Sequence, residues 1–153
     1  RDGLVTGVQT CALPICAVYS REEIEMLGEI AKENDLYIIA DEVYREFCYD
    51  GMEFISFASI PGIEENVIIV DSISKRFSAC GARIGSVATK NKEVLNSVSK
   101  LAQARASGPK MDMIGAVELY KSTPDSYFQE VNKEYQNRRD VLQGYQGDSR
   151  RCM

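Results

Sequence analysis

Three observations on this 153-residue chain predict an α/β fold. Two short continuous apolar runs, Leu36-Tyr37-Ile38-Ile39-Ala40 and Val67-Ile68-Ile69-Val70, each end on an aspartate, Asp41 and Asp71. Runs of this kind bounded by polar residues are expected of parallel strands covered on both faces. Stretches of helical period flank them, as in a βαβ succession. Both strands deliver polar side chains to their carboxyl ends, the edge where open α/β sheets collect ligands.

The elements follow in order. Ser20 with Glu23 forms a capping-box signature, and Ile24, Leu27, Ile30 and Ala31 recur at helical spacing until Asn34-Asp35 stops them. The strand over 36–40 comes next and delivers Asp41. A loop rich in aromatics and containing Pro61-Gly62 leads to the strand over 67–70, which brings Asp71, Ser72 and Lys75 to the same edge. Gly85-Ser86-Val87-Ala88-Thr89 reads as a third strand. Residues 92–106 read as a helix with Val94, Leu95, Val98, Leu101 and Ala102 on one face. Ser107-Gly108-Pro109 breaks it. Residues 111–121 form another helix, and Pro124 opens a last one whose apolar stripe is Tyr127, Phe128, Val131, Tyr135 and Leu142. Tyr and Met residues of these helices are expected in the core, and Arg138-Arg139 on a solvated face.

Composition removes several classes of function. Lys and Arg total 18 against 23 Asp and Glu, a formal charge of −5, and no basic block interleaves with aromatics, so neither nucleic acid nor an anionic membrane is an expected partner. The longest apolar runs are far too short to span a bilayer, and no charged-then-apolar signal opens the chain. A soluble, cytoplasmic protein is expected. Histidine is absent and the five cysteines, at 11, 16, 48, 80 and 152, include no Cys-x-x-Cys pair, which argues against zinc and against Ser/His or Cys/His triads. Cys48 and Cys80 read as reduced, partly buried small residues.

The chemistry concentrates in Ser72-Ile73-Ser74-Lys75-Arg76-Phe77-Ser78-Ala79-Cys80-Gly81-Ala82-Arg83-Ile84-Gly85. One amine, several hydroxyls and a guanidinium between glycines suit an aldehyde and a phosphate held side by side. A lysine is ordinarily a solvated surface group, but one just past a buried strand among hydroxyls is placed for chemistry. Together with Asp41-Glu42-Val43-Tyr44 upstream, this run resembles the class I/II aminotransferases, the fold-type-I pyridoxal-phosphate enzymes. Their large domain carries Ser-x-Ser-Lys-x(5)-Gly-x-Arg-x-Gly about one βαβ step after Asp-x-x-Tyr. The resemblance runs from about Ala17 to about Arg105 and continues more weakly to about Leu142. It implies part of a three-layer αβα large domain, mainly parallel, with the third strand antiparallel.

By the same resemblance Lys75 forms the Schiff base with pyridoxal 5'-phosphate and then moves a proton between the substrate Cα and the cofactor's C4′. Asp41 keeps the pyridine nitrogen protonated, which makes the ring an electron sink. Tyr44 bonds the ring's phenolic oxygen. Ser72, Ser74 and Arg83 take the phosphate, the guanidinium in a fork that lysine cannot reproduce. Duller roles stand beside these: Asp41 ending a strand, Tyr44 as a half-buried aromatic, Ser74 capping its turn. Gly81 and Gly85 are expected to permit tight backbone. Glu42 reads as a neighbour without catalytic duty, and Arg76 and Ser78 as solvent-facing or local.

The two ends read differently. Residues 1–16 lack sustained periodicity and resemble translated adapter sequence, so they are expected to be non-native and poorly packed; residues 143–153 also read as a non-native tail. Residues 17–106 read as the partial cofactor-binding domain and 107–142 as a helical continuation toward a small domain. Where the family has an Asn-Pro-Thr-Gly turn, this chain has Leu13-Pro14-Ile15-Cys16, and Leu13 cannot make the asparagine's bond to the cofactor ring. A complete enzyme of this family needs more than about twice the present length, so a fragment is expected. The implied parent is a homodimeric aminotransferase acting on an amino acid and a 2-oxo acid, with the fragment itself inactive. A carbon–sulfur β-lyase of the same fold and an effector-binding domain of a transcription regulator are the alternatives.

Overall fold

A computed structural model describes residues 18–105 and 108–146. Its first element is helix α1, Arg21–Glu33, opened by the capping box read from the sequence. The Glu23 amide donates to Ser20 Oγ at 3.3 Å, and the Ser20 amide donates to the Glu23 carboxylate at 2.8 Å. Two amides that would lack a partner are thereby satisfied. Asn34 closes the helix, its side-chain amide donating to the Ile30 carbonyl at 2.8 Å. Asp35 then turns the chain with φ of 52°.

Strand β1, Ile38–Asp41, pairs in parallel with β2, Val67–Ser72, in a register that sets Ile38 against Val67 and Asp41 against Val70. β1 starts two residues later than its apolar run, because the ladder opens where the Ile38 amide meets the Asn66 carbonyl, 2.8 Å. Leu36 and Tyr37 lie before it and are exposed. β3, Gly85–Thr89, pairs with β2 antiparallel and completes a sheet of order β1-β2-β3. The antiparallel third strand is as expected.

The core lies on one face of this sheet. Ile24 of α1, Ala40 of β1, Val67 and Ile69 of β2, and Ile60 and Ile63 from the connecting segment form one buried cluster, with Tyr19, Ile38, Ile55 and Phe57 packed against it. Each fully buried aliphatic contributes about 1.5–3 kcal/mol over an exposed one. Coverage of both faces, expected from the continuous apolar runs, is not found: Ile39 is 67% exposed and Val87 is also exposed. Alternation along β1 sends Ile38 and Ala40 to the core and Ile39 away from it.

Among the described residues four α-helices follow β2. The short α2, Ile73–Arg76, is followed after β3 by α3, Lys92–Ala104, α4, Lys110–Ser122, and α5, Asp125–Gln146. Asn91 caps α3 through its side-chain oxygen. α3 ends earlier than the predicted 106, and none of its residues is fully buried; Leu101 is 73% exposed. α4 buries only Ala116, so Met111, Met113 and Tyr120 are surface residues and not the core residues expected. α4 carries apolar side chains around its whole circumference, and the neighbouring elements meet only part of it. α5 continues four residues beyond Leu142 into the predicted tail. Residues 1–17, including Leu13 and Pro14, and residues 147–153 lie outside the described residues, and with them most of the two terminal segments read as non-native.

Candidate functional site

Parallel pairing is what assembles the candidate site. β1 ends at Asp41 opposite Val70, and β2 runs two residues further to Ser72, where α2 begins at once. The Glu42 amide still donates to the Val70 carbonyl at 2.9 Å, so the segments leaving the two strands part at the same sheet edge. Asp41 is exposed there, and its Oδ1 accepts the Val43 amide at 3.2 Å. Tyr44 lies in the following turns, also exposed. The Lys75 Nζ stands over the Tyr44 ring, 5.7 Å from its centroid. A cation over the ring face is attracted by its quadrupole, which draws these two residues together.

Ser72 rather than Ser74 caps the turn. Its Oγ accepts the Ser74 amide at 3.1 Å, donates to the Ile84 carbonyl at 2.9 Å and lies 2.8 Å from the Ser74 hydroxyl. The Ile73 amide reaches the same Ile84 carbonyl, 3.3 Å, so the segment carrying Arg83 is fastened against the start of α2. Arg83 itself has φ of 54°, and its guanidinium donates to the Cys80 carbonyl at 3.1 Å. Of the two glycines expected to permit tight backbone, Gly85 does so and Gly81 does not. A Cβ at Gly81 would meet nothing, while one at Gly85 would lie 3.1 Å from the Asp71 carbonyl oxygen. The left-handed positions are Ser78 and Arg83. Cys80 is exposed, not partly buried, with its thiol 3.1 Å from the Ser74 carbonyl.

Behind these residues lies a layer of charge that sequence reasoning did not find. Asp71 is 8% exposed: one oxygen accepts the Ser72 amide at 2.8 Å and the other meets Arg45 Nη2 at 2.9 Å. Glu46 meets Arg76 at 3.1 Å and Arg45 at 3.6 Å. Arg76, read as solvent-facing or local, makes long-range contacts instead: it lies among Phe77, Tyr120 and Phe128, its guanidinium 5.1–5.4 Å from the three ring centroids. Glu42 is 5% exposed and accepts the Ser56 hydroxyl at 2.7 Å and the Phe57 amide at 3.3 Å. Burial pushes its carboxyl above the ordinary range against the pull of these donors. The available signal was the alternation of sign in Arg45-Glu46 and in Asp71 with Arg76, but nothing in the sequence pairs them.

Two described clefts lie away from this edge. The larger, about 490 Å³, is lined by Phe77, Glu118, Leu119, Thr123, Pro124 and Tyr127 among others, and by none of Asp41, Tyr44, Ser72, Ser74, Lys75 or Arg83. The second lies on the α5 surface around Arg138 and Val141. Among the described residues no group of three or more Cys, Asp or Glu is disposed to hold a metal ion, and no helix is long and apolar enough to cross a membrane.

Residues 7–144 match the family model described as aminotransferase class I and II. The chain belongs to that family. An aspartate aminotransferase of Bacillus sp. strain YM-2 is 34% identical over 131 residues, which are 84% of this chain and 33% of that protein. The aromatic aminotransferase of Pyrococcus horikoshii OT3 superposes with a TM-score of 0.78 at 30% identity, covering 86% of this chain and 35% of that one. A PLP-bound protein of Clostridium difficile 630 shares the fold, with a TM-score of 0.79 at 18% identity over 86% of this chain and 35% of its own. The chain thus spans about a third of the length of the relatives it matches, and constitutes part of a fold-type-I large domain.

Proposed function

We propose that this family member holds pyridoxal 5'-phosphate at the carboxyl edge of β1 and β2, as part of an aminotransferase acting on an amino acid and a 2-oxo acid. The supporting observation is the parallel β1–β2 pairing, by which the Asp41–Tyr44 and Ser72–Lys75 segments leave the sheet at one edge. The donor set fits the group: an amine for an aldehyde, hydroxyls and a guanidinium for a phosphate, a carboxylate for a pyridine nitrogen. When bound, the cofactor supplies an aldehyde and an electron-withdrawing ring. Lys75 tethers it and then takes and returns the substrate's α proton through Nζ. Asp41 keeps the ring nitrogen protonated, Tyr44 donates to the ring's phenolic oxygen, and Arg83 with Ser72 and Ser74 orients the phosphate.

Substrate binding needs a further cation for the substrate carboxylate. Arg45 and Arg76 are engaged by Asp71 and Glu46, and Arg83 is assigned to the phosphate. Leu13, in addition, has no group for the ring oxygen. The 153-residue chain is therefore expected to bind the cofactor without turning over. The test is to mix the chain with pyridoxal phosphate, reduce with borohydride, map the adduct, and assay amino acids with 2-oxoglutarate. Labelling confined to Lys75 and lost in Lys75→Ala, without transamination, is the expected result. Labelling scattered over surface lysines refutes the site, and robust transamination refutes the incomplete-site reading.

A further inference from the structure

We infer that two ion pairs of opposite polarity, Arg45 with Asp71 and Glu46 with Arg76, position Tyr44 and Lys75 against each other; the inference rests on the cofactor site proposed above. Arg45 and Glu46 directly follow Tyr44, Asp71 directly precedes Ser72, and Arg76 directly follows Lys75. Besides the Glu42 amide bond to Val70, the 42–47 segment is a succession of turns with its own backbone bonds, such as Arg45 to Glu42 and Phe47 to Tyr44, and is tied to other elements through the Glu42 carboxylate, held by Ser56 and Phe57, and the Glu46 carbonyl, which accepts from Asn132 of α5. None of these last ties reaches Asp71 or α2, so the Arg45 and Glu46 side chains set the segment against the Ser72–Lys75 turn. The Arg45–Asp71 contact of 2.9 Å and the Glu46–Arg76 contact of 3.1 Å do so, one on each side of the Ser72–Lys75 turn. All four side chains are partly or largely buried, so solvent and salt screen the pairs less than they would surface pairs.

The alternation of sign gives the clamp a register. Slipping the loop so that Arg45 approached Arg76 and Glu46 approached Asp71 would oppose like charges in a partly buried setting, which is strongly unfavourable. Each anchor is itself held. The second oxygen of Asp71 accepts the Ser72 amide, and Ser72 caps α2. Arg76 sits among Phe77, Tyr120 and Phe128, which joins the site helix to α4 and α5. Arg45, Glu46, Asp71 and Arg76 are thus positioning residues that act through Tyr44, Ser72 and Lys75.

The test uses the full chain, its Arg45→Met and Arg45→Lys variants, and pyridoxal phosphate as the probe. The fraction of Lys75 trapped by borohydride is followed against cofactor concentration, and fold is followed by circular dichroism and thermal unfolding. Arg45→Met is expected to raise the half-saturating concentration about tenfold, with Arg45→Lys, which keeps the charge, recovering most of the loss. A folded Arg45→Met that saturates at the wild-type concentration overturns the inference. So does equal impairment of the Met and Lys variants in proportion to lost thermal stability, which is what a merely structural role gives. Should Arg45→Met not fold, Glu46→Gln supplies the same comparison at the second pair. Absence of a Lys75 adduct in the wild-type chain overturns the cofactor site and this inference with it, whereas a labelled wild type with unaffected variants overturns the clamp alone.

Discussion

Glu42 shows how a neighbour in sequence differs from a partner in space. It adjoins Asp41, yet it points into the protein, where Ser56 and the Phe57 amide hold its carboxylate and burial raises its proton affinity. The folded state then binds more protons than the unfolded state between the ordinary glutamate value and the raised one. This residue's contribution to stability is full below the ordinary value and is lost as pH rises through the folded value. Glu42→Gln keeps the shape and removes the titration. In urea unfolding at a series of pH values, the stability difference should move in favour of the variant across that window and level off above it. Parallel curves for the two proteins would show that Glu42 is not the titrating group.

Helix α1 illustrates how an element is fixed by its ends and by one close approach. Its capping box and its Asn34 stop are local, and both were legible as residue types at fixed spacing. Gly28 is different. A Cβ there would lie 2.8 Å from Ile63 Cδ1, and Ile63 is buried in the core cluster. Alanine improves helix propensity by about 1 kcal/mol. Overpacking costs about 1–3 kcal/mol and outweighs it, so Gly28→Ala should lower the unfolding free energy by about 1 kcal/mol in urea denaturation. Adding Ile63→Val, which removes the clashing methyl, should make the Gly28→Ala step neutral or favourable. A stabilising Gly28→Ala in the wild-type background would mean that Ile63 yields freely. Helix α5 is tied from the other direction: Asn132 to the Glu46 carbonyl, Gln136 to Asp50, and Arg139 bidentate to Asp50 at 2.7 and 2.9 Å. These residues lie four and three apart on one helical face, so Arg139 belongs to a contact where a solvated face was expected, while Arg138 remains exposed.

At the scale of the whole molecule the apolar surface is large for the core it accompanies. Ile39 and Val87 on the sheet, Leu95 and Leu101 on α3, and Met111, Ile114 and Val117 on α4 are all exposed, Met111 by 80%. Exposed apolar side chains in this number favour binding of amphiphilic dyes and association. The folded chain should therefore enhance 1-anilinonaphthalene-8-sulfonate fluorescence, lose that signal on unfolding in urea, and scatter more light as concentration rises. A cooperatively folding chain with dye fluorescence at the buffer baseline would contradict this.

From the sequence alone the order and type of the longer elements could be read, because their signals are local: a capping box for α1, apolar runs for β1 and β2, and a proline break before α4; the four-residue α2 was not foreseen. The sequence also pointed to the family that residues 7–144 match, and it named Asp41, Tyr44, Ser72, Ser74, Lys75 and Arg83 as candidates by resemblance. Only the tertiary structure decided which faces are covered. The continuous apolar run pointed to burial on both faces, and Ile39 turned out to face outward. Tertiary structure alone also decided that Arg76 is enclosed by aromatics and that Arg45 meets Asp71. Such pairings depend on where β1 and β2 end relative to each other, and contacts between residues this far apart in the chain are not encoded in any local pattern.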